Sequence, residues 1–264
     1  MKVCADAGYD GVELVCTAGW PCDPETLSKL DVRSIRAALD DLGLSMPCLM
    51  ENLKLSNDAR IKRKNLDRLK AAADFAHQVS PAKQPLIETV LGGKFNQWEA
   101  VKGEMAAALR GWAKVGEETK TIIAVKAHIG GALHTPDGAK WLIGEVASPW
   151  IRLNYDYSHY QLAGFELAKS LTTSLPHTVF IHVKDKRGKK GDFQFLLPGD
   201  GDIDYEKYFD ILQTSGYRGA VCIEVSGQIH GKPGYDPVHA AKHSYANLAP
   251  LFKKTGLGRS GGRS

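Results

Sequence analysis

The chain lacks any run of about 18 apolar residues, and its start lacks the charged opening and apolar core of a signal peptide. Nothing in it therefore reads as a membrane span or a leader. CxxC spacing is absent as well. The five cysteines (Cys4, Cys16, Cys22, Cys48, Cys222) are odd in number and scattered, which argues against a disulfide framework or a zinc knuckle and for reduced, mostly buried thiols. No GxGxxG or Walker loop occurs, so no nucleotide cofactor is indicated. Charge of one sign is not concentrated: a net charge of +4 from 34 basic and 30 acidic residues is far from the positive stripe of a nucleic-acid binder. No long Pro/Ser linker divides the 264 residues. The expectation is one cytoplasmic domain over residues 1–254. Because the chain opens inside a structural repeat, an upstream export signal is left open.

What is present is a hydrophobic fraction of 43% with 24% charged residues, enough to fill a large core. Short β-branched runs alternate with amphipathic stretches of helical period, the pattern of a parallel sheet with crossover helices. Strands are predicted at Gly11 to Cys16, Ser45 to Met50, Pro85 to Leu91, Ile122 to His128, Ile151 to Tyr157, Val179 to Asp185 and Ala220 to Ser226. Helices are predicted at 31–42, 57–78, 96–118, 135–147, 159–171, 204–215 and 236–253, after a helix-like opening at Lys2 to Ala7. Asn57 and Asp204 are expected as N-caps, and Gly43 and Gly216 as left-handed helix ends. The fold class is α/β, a (β/α)8 TIM barrel lacking its first strand, since only seven strands can be placed. The Gly/Ser/Arg-rich tail, 255–264, is expected to be unstructured.

In such barrels the functional groups stand at the carboxyl ends of the strands. Asp156 ends the apolar run IRLNYD, His182 lies in VFIHVKD and Glu224 in AVCIEVSG. Burying unpaired charges is costly, and three such groups on consecutive strands would aim at one point. A divalent cation is the simplest common partner, with Mn²⁺, Mg²⁺, Co²⁺ or Zn²⁺ suited to carboxylate and imidazole together. The alternative is that each pairs with a local Lys or Arg. Glu88, at the end of the preceding strand IETVLGG, is a candidate further ligand, although alternation alone allows it to face the helices instead. Glu13 in GVEL reads at least as well as a salt-bridged barrel residue. Lys184 and Arg187, in the charged run KDKRGKK over the barrel mouth, are placed to hold hydroxyl, phosphate or carboxylate groups, although a solvated loop is the usual meaning of such a run. The acidic loop PGDGD is expected to turn tightly at its glycines and cap the next helix.

The segments ADAGYDGVEL, DYSH (Asp156 to His159), HVKDKR (His182 to Arg187) and PGDGDIDYEKYFDILQTSGYRGAVCIE (Pro198 to Glu224) resemble the xylose isomerase-like TIM-barrel superfamily. That group includes ketose 3-epimerases, inosose dehydratases and family-two AP endonucleases. The resemblance implies that Asp156, His182 and Glu224 ligate a metal, that His159 faces the substrate, and that Glu224 doubles as an acid/base. The fourth ligand it implies is a glutamate two residues before a histidine. Here the strand reads AVKAHIGG, so Lys126 stands at the glutamate position and His128 matches the histidine.

Epimerisation of this kind uses two carboxylates, one on each face of the sugar, and one of the pair is replaced. Lys126 is then either a neutral or transiently neutral base, or a fixed positive group that replaces metal charge and binds an oxyanion, or a partner for Glu88. His128, two residues on and on the same strand face, could supply the missing ligand or act as general base. The leading expectation is a metal-dependent sugar isomerase or epimerase working through an enediolate, with Glu224 and Lys126 or His128 moving protons. A lyase or dehydratase acting on keto-sugars or keto-glycosides is the close alternative, because elimination needs only one proton abstraction at carbon. An AP endonuclease would need about three zinc ions and more ligands than the sequence offers. An inactive sugar-binding barrel is the non-enzymatic alternative. The expected partner is a small sugar or polyol, with no nucleic acid and no membrane, and with self-association as a homo-oligomer left open.

Overall fold

A computed structural model describes residues 1–257. Six short strands run parallel in chain order: β1 (Leu14–Val15), β2 (Leu49–Met50), β3 (Leu86–Val90), β4 (Ile122–Lys126), β5 (Ile151–Asp156) and β6 (Thr178–Val183). An antiparallel hairpin of β7 (Asp185–Lys189) and β8 (Asp192–Leu196) follows, and β9 (Ala220–Ile223) then returns to pair with β6. The result is a curled seven-stranded parallel sheet, one strand short of a closed barrel, with β1 and β9 at its ends. All seven predicted strands are present, shorter than the apolar runs that announced them.

Helices pack outside this sheet: α1 (Lys2–Ala7), α2 (Lys29–Leu42), α3 (Ala59–Val79), α4 (Trp98–Thr119), α5 (Pro136–Val146), α6 (Tyr157–Leu162), α7 (Leu167–Ser174), α8 (Tyr205–Thr214), α9 (Gly227–His230) and α10 (Pro237–Thr255). None is long and apolar enough to cross a membrane. The first and last described helices, α1 and α10, meet on the outside, where the Tyr9 hydroxyl donates to the Ala241 carbonyl at 2.8 Å and the Tyr9 and Tyr245 rings lie 4.9 Å apart. Gly8, at φ 106°, allows this approach, because a Cβ there would run into the Tyr245 hydroxyl. All five cysteines are free thiols.

Asp204 caps α8 as expected, accepting from the Lys207 N–H at 3.0 Å, and Gly43 and Gly216 take the left-handed conformation at φ 61° and 74°. The cap of α3 is Asp58 rather than Asn57: its carboxylate accepts from the Arg60 N–H at 2.7 Å, while the Asn57 amide reaches outward to Glu104. The predicted helix over 159–171 is two helices. Asp156 caps α6 directly, and Gly164, at φ 90°, turns the chain before α7. The charged run after β6 is not a loop but the hairpin, turning at Gly191 (φ 93°). The tail expectation also needs correction at its start: Thr255 belongs to α10, Gly256 ends that helix at φ 71° and Leu257 packs against the core. Residues 258–264 lie outside the described residues.

The strand periodicity of two sorts side chains by parity. Ile87, Ile123, Val125, Ile151, Leu153, Tyr155, Ile181 and Val183, all odd, join the apolar core between sheet and helices. Burying each such side chain contributes about 1.5–3 kcal/mol against exposure. The even positions turn into the barrel, and there Glu88, Lys126, Asn154, Asp156, His182 and Lys184 are polar and buried. Register places them side by side, with Asp156 opposite His182 and His182 opposite Cys222.

A second buried ion cluster ties the start of the sheet to α3. Arg68 donates to Asp23 at 2.5 Å, to Glu51 at 2.5 Å and to the Cys16 carbonyl. Nothing in the sequence patterns announced it.

Candidate active site at the carboxyl ends of the strands

Glu224 is the hub. It follows β9, and its Oε2 accepts from the Lys126 ammonium at 3.0 Å and the Lys184 ammonium at 2.6 Å, with His182 Nδ1 at 3.2 Å. Among the described residues its Oε1 carries no hydrogen bond, and its side chain is 20% exposed where Asp156 and Glu88 are fully buried. Burial opposes ionisation of Glu224, but Lys126 and Lys184 outweigh it and hold the carboxyl well below the usual range.

Lys126, from the end of β4, touches His182 Nδ1 at 3.0 Å and lies 3.7 Å from Glu88 Oε1. Burial opposes its charge, yet Glu224 and Glu88 hold it above the usual ammonium range. Of the roles open to this lysine, the contacts favour a fixed positive group over a neutral base. Lys184, just beyond β6, donates to Asp156 Oδ2 at 2.7 Å and meets His159 Nε2 at 3.0 Å. His182 Nε2 faces Glu13 Oε2 at 2.9 Å; burial disfavours the charged ring, and Glu13 outweighs it, so the His182 pKa is drawn well up. Glu88 accepts from the Asn154 amide at 3.1 Å, and burial pushes its carboxyl up against the pull of Lys126. The Oε1 atoms of Glu13 and Glu88 and the Oδ1 of Asn154 are buried without a hydrogen bond, leaving unspent acceptor capacity inside the barrel.

The rings of His128 and His159 meet at 4.1 Å between centroids, tilted by 45°. The backbone N–H of Gly130 donates to His128 Nδ1 at 3.0 Å, which puts the proton of the neutral ring on Nε2. Burial and then the two lysines push the His128 pKa down to about 4, so the ring is neutral at pH 7. The hairpin roofs the cluster: the Phe195 ring is 5.3 Å from that of His159 and 4.9 Å from the Lys184 nitrogen. Asp185 anchors this roof, accepting from the N–H groups of Gly199 in the PGDGD loop at 3.0 Å and of Ile203, the residue after it, at 3.1 Å.

Asp156, His182, Glu224, Lys126, Lys184, His128 and His159 are thus brought together, with Glu88 at the edge. Arg187 is not: it is exposed on β7 and donates to the Asp200 carbonyl at 2.8 Å. Three participants were underrated or missed. Glu13 reaches His182 from the opposite end of the sheet, a contact that only the curl creates. Asn154 lies two residues before Asp156, so the strand period could have found it. Phe195 was hidden because the hairpin was read as a solvated loop.

Asp156, His182 and Glu224 offer ligand atoms all within 4.8 Å of one another, as do Glu13, His182 and Cys222. In donor type the first set suits a divalent cation. Its surroundings do not, because Lys126 stands on His182 and Glu224, and Lys184 on Asp156 and Glu224. A metal ligated by these atoms requires both ammonium groups to move.

The chain belongs to the xylose isomerase-like TIM barrel family, whose sequence profile matches residues 1–250. An L-ribulose-5-phosphate 3-epimerase of Shigella flexneri is 23% identical over 264 residues, covering 94% of this chain and 89% of the relative. Among solved structures, the apo 3-keto-D-glucoside 4-epimerase of E. coli is similar with a TM-score of 0.71 at 18% identity, covering 94% of this chain and 90% of that one. A xylose isomerase-like TIM barrel protein from Mycobacterium smegmatis in complex with magnesium has a TM-score of 0.72 at 17% identity, covering 97% of this chain and 87% of its own.

Proposed function

We propose that the chain is a sugar isomerase or epimerase working through an enediolate at the Glu224 cluster. The observation that carries this reading is the division of labour on Glu224: one oxygen is pinned by two ammonium groups beside His182, and the other has no hydrogen bond on the more exposed side of the site. The epimerases among its relatives support the same chemistry. Glu224 Oε1 takes the proton from the carbon beside the substrate carbonyl, the C–H pair becomes the double bond of the enediolate, and the carbonyl π pair moves onto oxygen. Return of the proton by Glu224 to the neighbouring carbon gives an isomer; an epimer requires a second acid to deliver a proton to the opposite face while Glu224 releases its own to water. His128, neutral and carrying its proton on Nε2, is the hydrogen-bond donor for the growing charge on oxygen. Lys126 and Lys184 keep Glu224 ionised and oriented, with Asp156, His159 and His182 positioning the lysines.

Mn²⁺, Mg²⁺, Co²⁺ or Zn²⁺ on Asp156, His182 and Glu224 would polarise the same carbonyl. No step above runs through a metal, since the ammonium contacts do not fit one.

A second reading, elimination by a lyase or dehydratase, is favoured by one observation. Glu224 is the one cluster carboxylate with substantial exposure, and elimination needs a single proton abstraction at carbon. Incubation with keto-sugars and keto-glycosides in D₂O separates the cases. An enediolate enzyme places deuterium on the carbon beside the carbonyl, seen by NMR. A product of unchanged mass apart from deuterium identifies isomerisation or epimerisation, and loss of water or alcohol identifies the lyase. A sugar that raises Tm in the complete absence of exchange would instead mean a binding barrel.

A further inference from the structure

The two lysines of the cluster form a triangle with its donors that resembles a coordination site more than a pair of surface ion pairs. Lys126 Nζ is 3.0 Å from both His182 Nδ1 and Glu224 Oε2, which are themselves 3.2 Å apart. Lys184 Nζ is 2.7 Å from Asp156 Oδ2, 2.6 Å from Glu224 Oε2 and 3.0 Å from His159 Nε2. Each of the three residues that would ligate a divalent ion therefore already has an ammonium nitrogen on one of its ligand atoms. Both lysine side chains are almost completely buried, at 1% and 2% exposure, and end strands packed on both faces. Each is held where it stands by carboxylate and imidazole partners on neighbouring strands, so leaving the site would strand buried charges on both sides.

We infer that Lys126 and Lys184 are the permanent cations of this site: two single charges on fixed nitrogens stand in for one divalent ion, and the barrel neither takes up nor needs a metal. The inference deepens the enediolate reading by naming what stabilises its negative charge, and rests on that reading only for the word enediolate. Ammonium groups cannot accept a substrate oxygen as a ligand. They act through space and through Glu224, and so favour a substrate whose carbonyl binds beside the carboxylate rather than a diol that chelates an ion. Lys126 is thus a positioning residue whose removal changes what the site binds.

The test is metal uptake, which is read independently of turnover. Chelator-stripped protein is loaded with millimolar Mn²⁺, desalted and assayed for manganese by plasma mass spectrometry, with bound ion checked by electron paramagnetic resonance. The wild type is expected to retain less than a tenth of an ion per chain, and the double variant Lys126→Glu/Lys184→Met, which removes both ammonium groups and puts a carboxylate in place of one, close to one. If that variant does not fold by circular dichroism, Lys126→Met/Lys184→Met, similar in size and uncharged, is expected to retain at least tenfold more manganese than the wild type. Retention of about one ion by the wild type, abolished in Asp156→Ala, would overturn the inference, as would a folded lysine variant that stays as empty as the wild type. Where deuterium exchange is seen, chelator is expected to change its rate less than twofold, and a tenfold loss restored by Mn²⁺ would also overturn it. Absence of exchange in every form would defeat the enediolate reading alone, leaving the metal result to decide the role of the lysines.

Discussion

Arg68 and Lys126 are both buried cations among carboxylates, yet the two neighbourhoods follow opposite plans. Arg68 is a single cation, its planar fork spread over Asp23, Glu51 and a main-chain carbonyl, with Glu25 at 3.4 Å and 2% exposure. Among the described residues the lysine cluster has two point charges, four carboxylates, three carboxylate oxygens without a hydrogen bond (Oε1 of Glu13, Glu88 and Glu224) and one partly exposed member, Glu224. A saturated cluster can only hold elements together. An unsaturated one has acceptors and a proton site to spend on something else, and this difference separates a clamp from a site.

The comparison is sharpest for Glu224. Glu224→Gln is expected to lower deuterium exchange about 10²–10⁴-fold while the protein stays folded by circular dichroism; a variant that exchanges normally would leave the lysine cluster as a second clamp. Arg68→Met should do the reverse, removing about 3–5 kcal/mol of stability in urea because Asp23 and Glu51 are left buried without a cation, with the folded fraction keeping its exchange rate.

Acid should separate the regions next. Folded His128 has its pKa pushed down to about 4, while an unfolded histidine titrates near about 6.5. The unfolded chain therefore binds more protons in that window, and stability at this position falls as pH drops from about 6.5 to about 4. Asp23 is different: burial works against its charge, but Arg68 and backbone N–H groups outweigh it and hold its carboxyl below the usual range. Its contribution is complete above the unfolded value of about 3.9 and is lost only as pH falls through the lower, folded one. Urea midpoints measured down a pH series should show His128→Gln flattening the upper limb and Asp23→Asn the lower. The smallest effect is expected for Arg187→Ala, within about 0.5 kcal/mol of the parent in stability and with less than a twofold change in exchange. A large loss of exchange there would extend the site onto the hairpin.

The parallel sheet was legible because strands buried on both faces are continuous apolar runs, and Asp156, His182 and Glu224 were legible because a charged residue interrupting such a run must find a partner. The partners themselves were not. Lys126 could be located, but whether it faced a metal, Glu88 or Glu224 depends on distances that the curl of the sheet sets between β4 and β9. Glu13 and His182 are 169 positions apart and meet only because the sheet curls round toward its other end. The hairpin was misread because KDKRGKK is as hydrophilic as any loop, and its pairing partner carries the apolar alternation of Phe193 and Phe195. Arg68 was invisible for a related reason: an arginine within the strongly basic first half of α3 looks like solvated surface until Asp23 and Glu51 are folded onto it.

The parity of the strands carries a consequence for how such a chain can change. Packing and chemistry occupy alternate residues of the same few strands, so deleting one residue inside β4, β5 or β6 would turn the apolar layer inward and the ionic layer out for the rest of that strand. Length can change outside these strands, as in the hairpin, without disturbing that parity. The architecture accepts a new roof readily and a shifted floor hardly at all.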